Sequence, residues 1–154
     1  LWPDMTWMFI LAYDVWNFQY TYLNLPTHSW YCGVALLLAP TFAAAFWNKG
    51  GWIQNRANTL ALWCMFAQLF PLFQDQGKFA VIPRLYADGF MDAATHPTAV
   101  DPTAQGVISV LSIVVNVVVF AAIIKRSMKL KKNPYKDEIW KGTKDYEEAM
   151  SRAE

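Results

Sequence analysis

Residues 105–124 read QGVISVLSIVVNVVVFAAII, twenty residues in which no side chain carries a charge. About twenty apolar residues in an α-helix span the roughly 30 Å hydrocarbon core of a bilayer. Val and Ile are weak helix formers in water, but a backbone in lipid must satisfy its hydrogen bonds within its own segment. This stretch therefore predicts a membrane-crossing helix.

Three further apolar stretches precede it, at 5–23, 29–47 and 57–73. Together the four stretches hold only one of the 25 Asp, Glu, Lys and Arg residues of the chain, Asp14. The chain of 154 residues is 55% hydrophobic and 16% charged, against about 45–50% and about 25% in soluble domains. The sequence thus predicts an all-α integral membrane protein, a helical bundle with four transmembrane helices. Pro40 is expected to loosen the second helix.

The chain is expected to divide into two parts. Residues 1–124 form the transmembrane bundle, which includes a long outer loop at 74–104, and loops of this length often carry function. Residues 125–154 form a charged tail that is expected to be partly helical. A suitable helix start is Asn133-Pro134, and four tail residues then repeat at helical spacing: Ile139, Thr143, Tyr146 and Met150.

Lysine and arginine residues indicate the orientation, because they accumulate on the cytoplasmic side of membrane proteins. Five of them follow the fourth stretch, and Lys49 and Arg56 fall on the same side when the helices alternate in direction. Both ends of the chain are therefore expected in the cytoplasm. The five are also the predicted lipid-anchoring residues, since each positive charge near anionic lipid contributes about 1 kcal/mol: Lys125, Arg126, Lys129, Lys131 and Lys132.

Asp14 is the residue that most strongly suggests a functional site. A charged side chain at the centre of a membrane helix costs about 2.5–3.5 kcal/mol, so Asp14 is expected to face the bundle interior with a partner. Arg56 is expected to lie too far from the membrane centre to be that partner. It is expected instead to act as an anchor at the inner membrane surface. Asp14 begins a polar stripe at helical spacing, flanked by two tyrosines: Asn17, Thr21 and Asn24, with Tyr13 and Tyr20.

The fourth stretch carries a second polar stripe, with Ser112 and Asn116 as its candidate site residues. If the two stripes meet inside the bundle, they line a hydrated path or a pocket for a small polar ligand. The alternative is that these side chains only hold the helices together, through intramembrane hydrogen bonds worth about 0.6 kcal/mol each. The sequence leaves both interpretations open.

Several classes of function are disfavoured by the sequence. A net charge of +1 argues against a nucleic-acid partner, which requires a basic face. A retinal protein needs a lysine inside a span, and a hydrolase of the Gly-x-Ser-x-Gly type needs that motif; the chain contains neither. Asp88, Asp92 and His96 repeat every four residues, but Gly89 and Pro97 count against a helical metal site there. We therefore predict no metal and no cofactor, and an enzyme remains open but disfavoured.

Motifs of the first half are those of a known family. They are Trp2-Pro3-Asp4-Met5, Ala12-Tyr13-Asp14, Trp16-Asn17-Phe18, Tyr20-Thr21-Tyr22 and Lys49-Gly50 with Arg56-Ala57. With them the chain resembles an uncharacterised family of bacterial multi-pass membrane proteins that carries only a domain-of-unknown-function label. The resemblance covers roughly residues 1–73, is looser over the fourth stretch and does not extend to the tail. It implies a location in the bacterial inner membrane, correspondence to the C-terminal half of longer members, and no particular activity.

Two hypotheses of function follow. The first is a transport or channel-like role, in which the polar cluster around Asp14 handles a proton, a cation or a small polar solute. The alternative is a structural or accessory subunit of a larger membrane complex, with Ile139, Trp140 and Tyr146 docking a partner. The expected partners are accordingly the lipid bilayer and either a second protein or further copies of the chain.

Overall fold

The computed structural model describes residues 6–24, 33–70 and 102–152. These ranges contain five α-helices, one π-helical segment and no strand, so the predicted all-α class is confirmed for them. The long loop expected at 74–104 falls outside the described residues except for its last three, which belong to a helix. The elements are α1 Trp7–Asn24, the π-helical segment Gly33–Leu38, α2 Ala39–Phe46, α3 Trp52–Leu69, α4 Pro102–Leu130 and α5 Lys144–Ser151.

Of the four membrane-crossing helices expected from the sequence, only one is supported by the length and composition of the described helices. Among the described residues only the helix Thr103–Leu130 is long and apolar enough to cross a membrane. Only 11% of its most apolar stretch is buried within the protein. The π-helical segment and α2 together span only Gly33–Phe46. Helices α1 and α3 each have 18 residues, but their polar side chains dilute the apolar character on which the prediction rested.

Pro40 distorts the second helix as the sequence suggested. Proline has no N–H to donate and its ring clashes with the carbonyl one turn earlier, so the preceding turns cannot keep regular α-helical bonding. The structure accommodates Pro40 by winding Gly33–Leu38 as a π-helix directly before α2. Pro40 itself is fully buried. This irregular helix contacts both α1 and α3.

Helices α1 and α4 pack against each other in antiparallel directions. The amide of Asn116 donates to the carbonyl oxygen of Ala12 at 3.3 Å, and Gln19 donates to the Ser109 hydroxyl at 3.5 Å. Residue numbers therefore increase along one helix as they decrease along the other. Ala12 and Ser112 are both buried, and small residues of this kind let two helices approach closely.

A short turn connects α2 to α3 and requires glycine. Gly50 has a φ of +83°, a conformation that other residues rarely adopt. A Cβ atom at Gly51 would collide with the side chain of Asn48, whose amide donates to Asn55 Oδ1 at 3.2 Å. The turn therefore places the start of α3 against the end of α2.

The tail folds back onto the helices, and its helix is shorter than predicted. Residues 133–143 form turns, because Asn133 accepts a hydrogen bond from the backbone of Tyr135 and Gly142 has a φ of +83°. Helix α5 begins only at Lys144, where the Thr143 side chain accepts from the Tyr146 backbone N–H. The prediction of a helix starting at Asn133 is therefore wrong, since local side-chain bonding there favours a turn.

Candidate functional site

A chain of hydrogen bonds leads to Asp14 from two other helices. The Trp52 indole N–H of α3 donates to the Thr41 hydroxyl of α2 at 2.8 Å. Thr41 in turn donates its proton to Asp14 Oδ2 at 2.6 Å. Because a hydroxyl that accepts one bond is polarised to donate the next, the two bonds reinforce each other. Asp14 is thus held at the point where α1, α2 and α3 meet.

The second oxygen of Asp14 has no such partner. Asp14 Oδ1 is buried and accepts no hydrogen bond from the described residues. Two donors of Arg56, its Nε and Nη1, are also buried, and neither donates a hydrogen bond to the described residues. Arg56 is nevertheless near enough to attract the Asp14 carboxylate electrostatically. Arg56 donates no hydrogen bond to Asp14 Oδ1, so the two charges interact only through space. Trp52 and Arg56 lie four residues apart on α3, so both face the same direction.

Asp14 lines a cleft of about 250 Å³, which we call the Asp14 cleft. Thr6, Ile10 and Asp14 contribute one wall, Thr41 and Ala44 of α2 contribute a second, and Lys49 lies in the turn after α2. The walls are mostly apolar apart from Asp14, the two threonines, and Lys49 and Asp145 at one end. A carboxylate in such surroundings attracts cations and hydrogen-bond donors more strongly than one in water, because little solvent screens it.

One end of the Asp14 cleft is covered by α5, which contributes Asp145 and Ala149 to its lining. Lys49 Nζ lies 2.8 Å from Asp145 Oδ1 and 2.8 Å from Glu148 Oε2. Its hydrogen bonds to Asp145 and then to Glu148 raise the pKa of Lys49 above its ordinary value. For Glu148 the hydrogen bond from Lys49 has the opposite effect and lowers the pKa below its ordinary value. Both shifts mean that the charged forms are favoured in this arrangement.

The predicted site residues of α1 are distributed around the helix. The Tyr13 ring packs edge-on against Trp52, with 5.1 Å between ring centroids, and so supports the Asp14 environment. Tyr20 is exposed and stacks on Trp16 at 6.3 Å. Thr21 donates to the carbonyl oxygen of Phe18 in its own helix. Of the remaining two, Asn17 is half-buried and Asn24 is the last residue of α1, with a side chain outside the described set.

The polar residues of α4 do not join the Asp14 group. Asn116 donates to the carbonyl oxygens of Ala12 and Ser112, and Ser112 is buried in the contact with α1. Ala12 and Asp14 are two residues apart, which places them on nearly opposite faces of α1. The structure therefore brings Asp14 together with α2 and α3, while Ser112 and Asn116 contact another face of α1.

The five basic residues predicted to anchor lipid lie at the end of α4. Lys125, Arg126 and Lys129 are in its last turns, and Lys131 and Lys132 follow directly. Arg126 is half-buried because its guanidinium donates to the carbonyl oxygen of Ile139 and lies 4.9 Å from the centre of the Trp140 ring. The four lysines are exposed. Arg126 thus fastens the tail, and the lysines leave their charges free for another partner.

Two residues of the Asp14 group, Thr41 and Trp52, were not among the candidates that the sequence pattern indicated. Thr41 is the only polar residue between Gly33 and Phe46. An isolated hydroxyl in an apolar helix, directly after a proline, could have indicated a buried hydrogen bond. Trp52 is only 3% exposed, and its burial depends on contacts between helices. The metal ligands considered at Asp88, Asp92 and His96 lie outside the described residues.

Residues 1–152 match a family described as a family of unknown function, DUF5692. The chain belongs to this family. The match includes the tail, whereas the resemblance noted from the sequence did not extend beyond the helices. The Asp14 cleft and the α5 helix that covers it therefore lie within one family unit. No curated protein matches the chain, and no solved structure matches it.

Proposed function

We propose that the protein is a helical membrane protein in which a proton, a cation or a small polar solute binds at Asp14 during passage across the bilayer. The observation that carries the proposal is the buried Asp14 Oδ1, which accepts no hydrogen bond from the described residues although its neighbour Oδ2 is bonded to Thr41. A buried acceptor without a partner costs about 1–3 kcal/mol. A bound proton, cation or solute donor would remove that cost.

A membrane location is supported by the apolar side chains that the helices leave exposed. Soluble monomers rarely expose contiguous apolar patches larger than a few hundred Å². On this proposal α4 crosses the bilayer, and α1, α2 and α3 pack beside it within the membrane. The exposed residues include Leu62, Met65, Phe66 and Leu69 of α3 and Val107, Val110, Ile113 and Val117 of α4.

The orientation we propose follows the positive charges. The end that carries Lys49, Arg126 and α5 faces the cytoplasm, in the inner membrane of a bacterium, with the exposed lysines after α4 against anionic headgroups. Both ends of the described segment would then lie on the cytoplasmic side.

An ion-handling role is favoured over a purely structural one by the composition of the site. An amide in place of Asp14 could bond Thr41 equally well at a lower insertion cost, so a carboxylate is better explained by chemistry that needs a charge. Arg56 offsets part of this charge without hydrogen-bonding to Oδ1. Such a site can hold and release a proton or a donor-bearing solute without leaving an uncompensated charge in the membrane.

The test is ion flux in liposomes that contain the purified protein. Proton entry driven by a potassium diffusion potential is read with a trapped pH dye, and Na⁺ and K⁺ fluxes are measured with ion-sensitive dyes. Asp14→Asn should reduce the conducted flux at least tenfold, a loss of about 1.4 kcal/mol or more of transition-state stabilisation. Thr21→Val is the matched control, since the hydrogen bond that Thr21 forms among the described residues lies within α1. Equal flux through wild type and Asp14→Asn would overturn the proposal.

The alternative of an accessory subunit is less well supported by the tail. Ile139 and Tyr146, which were expected to dock a partner, are each only 4% exposed because they pack within the chain. Trp140 lies against Arg126. A partner protein or a second copy would have to bind another surface. Native mass spectrometry of the protein released gently from its membrane measures this directly, through a reproducible second mass.

A further inference from the structure

We propose that α5 is a lid that closes the Asp14 cleft and is held shut by Lys49. Access to Asp14 from the tail side then requires α5 to lift away. The proposal concerns the regulation of the same site, and its effect on flux rests on the proposed function. The closure itself rests only on the contacts of α5.

The first argument is the position of α5. Asp145 and Ala149 line the same cleft as Asp14 and Ala44. They are four residues apart and therefore lie on one face of the helix. Ala149 is 2% exposed and Ala44 is 4% exposed. The face of α5 that carries them thus covers an apolar wall that leads to the carboxylate.

The polar contacts that join α5 to the end of α2 and the turn after it are partly exposed to solvent. Lys49 bridges Asp145 and Glu148, and the Arg152 guanidinium donates to the carbonyl oxygen of Trp47. The bridging side chains are partly exposed, 28% for Lys49, 26% for Asp145 and 39% for Glu148. Ion pairs with this exposure are weak and are screened by salt. Contacts of this strength can open and close repeatedly.

The third argument is the way α5 is attached. The preceding residues Ile139 and Trp140 are fastened to α4 through Arg126. Between this attachment and α5 lies Gly142, with a φ of +83° and open space around its Cα. A rotation at Gly142 moves the eight-residue α5 as a unit while Trp140 stays in place. It breaks the bonds that join Thr143 to the Trp140 carbonyl oxygen and Tyr146 to Glu138.

The experiment measures how fast a cysteine in the Asp14 cleft reacts. Ala44→Cys is placed in a chain carrying Cys32→Ser and Cys64→Ser, reconstituted in lipid nanodiscs, and treated with a small water-soluble maleimide. Lys49→Gln removes both ion pairs and should increase the labelling rate about fivefold. Glu147→Gln is the matched control, because it removes one charge from α5 but retains an acceptor for the Gly142 N–H. Its rate should stay within twofold of the parent chain.

A truncated chain without α5 provides a second test of the lid. Truncation after Gly142 removes α5 altogether and should give the highest labelling rate, with helix content by circular dichroism reduced only by the missing residues. Equal labelling of the parent, Lys49→Gln and truncated chains would overturn the lid. An increase for Glu147→Gln as large as that for Lys49→Gln would also overturn it, because the effect would not be specific to Lys49.

Flux measurements distinguish a failure of the lid proposal from a failure of the proposed transport function. Lys49→Cys with Glu148→Cys, joined by a short cross-linker that can be cleaved by reduction, locks α5 in place. Locking should abolish the flux that depends on Asp14, and reduction should restore it. If labelling responds to Lys49→Gln but no variant affects flux, the lid stands and the transport role fails. If Asp14→Asn abolishes flux while labelling never responds, the transport role stands and the lid fails.

Discussion

Thr41 connects three helices through a single hydroxyl. It accepts from Trp52 of α3 and donates to Asp14 of α1, so its loss would leave a buried donor and a buried carboxylate oxygen unpaired at the same time. A buried group that loses its partner is costlier than the bond itself was favourable. At the scale of single residues, Thr41 is therefore the position where a small change should have the largest effect.

Thr41→Val should destabilise the folded protein by about 2 kcal/mol, because it removes both bonds while keeping the side-chain shape. Thr41→Ser keeps the hydroxyl and should cost less than about 1 kcal/mol. Thermal unfolding in mild detergent, followed by circular dichroism, compares the two. The prediction is wrong if valine and serine lower the unfolding temperature equally.

Arg56 and Asp14 should be energetically coupled. Arg56→Gln removes the positive charge that attracts Asp14 and leaves the carboxylate uncompensated, so the free energy of unfolding should fall. In the double variant Asp14→Asn with Arg56→Gln neither charge remains, and its loss should be smaller than the sum of the single losses by about 1 kcal/mol. Additive losses in this double-mutant cycle would show that Arg56 acts only as an anchor.

At the scale of elements, the packing of α5 combines apolar burial with charge. Tyr146 and Ala149 are buried, while Lys49 is bonded to Asp145 and Glu148 on the side of the helix that faces the cleft. Lys144 and Arg152 are the other charged groups that act on Glu148. The charged contacts make the docking of α5 dependent on pH, whereas apolar burial alone would not.

The direction of this pH dependence follows from the two pKa shifts. The pKa of Glu148 is lowered from 4.5, so its contribution is complete above pH 4.5 and is lost as pH falls through the folded value. The pKa of Lys49 is raised from 10.5, so its contribution is complete below pH 10.5 and is lost as pH rises further. The protection factors of the α5 amides, which compare the observed exchange with the intrinsic rate at each pH, should therefore fall below pH 4.5 relative to neutral pH. In Lys49→Gln this pH dependence should become smaller, because only Lys144 and Arg152 then act on Glu148.

At the scale of the whole molecule, residues far apart in sequence meet at one end of the helices. Lys49 contacts α5, Arg152 bonds to Trp47, and Arg126 holds Ile139 and Trp140. The same end carries the exposed lysines after α4. Concentrating the charged residues at one end leaves the sides of α3 and α4 free to be apolar, which is the distribution that a protein embedded in a bilayer requires.

Within the described residues, the helical class and the position of Asp14 inside an apolar helix were readable from the sequence, because hydropathy and helical spacing are properties of a single segment. Only the tertiary structure decided that Asp14 faces Thr41 while Asn116 contacts another side of α1. It also decided that α5 folds back over the cleft. The physical reason is that the face a helix presents depends on its rotation about its own axis. Contacts between distant segments set that rotation, and no local pattern in the sequence records them.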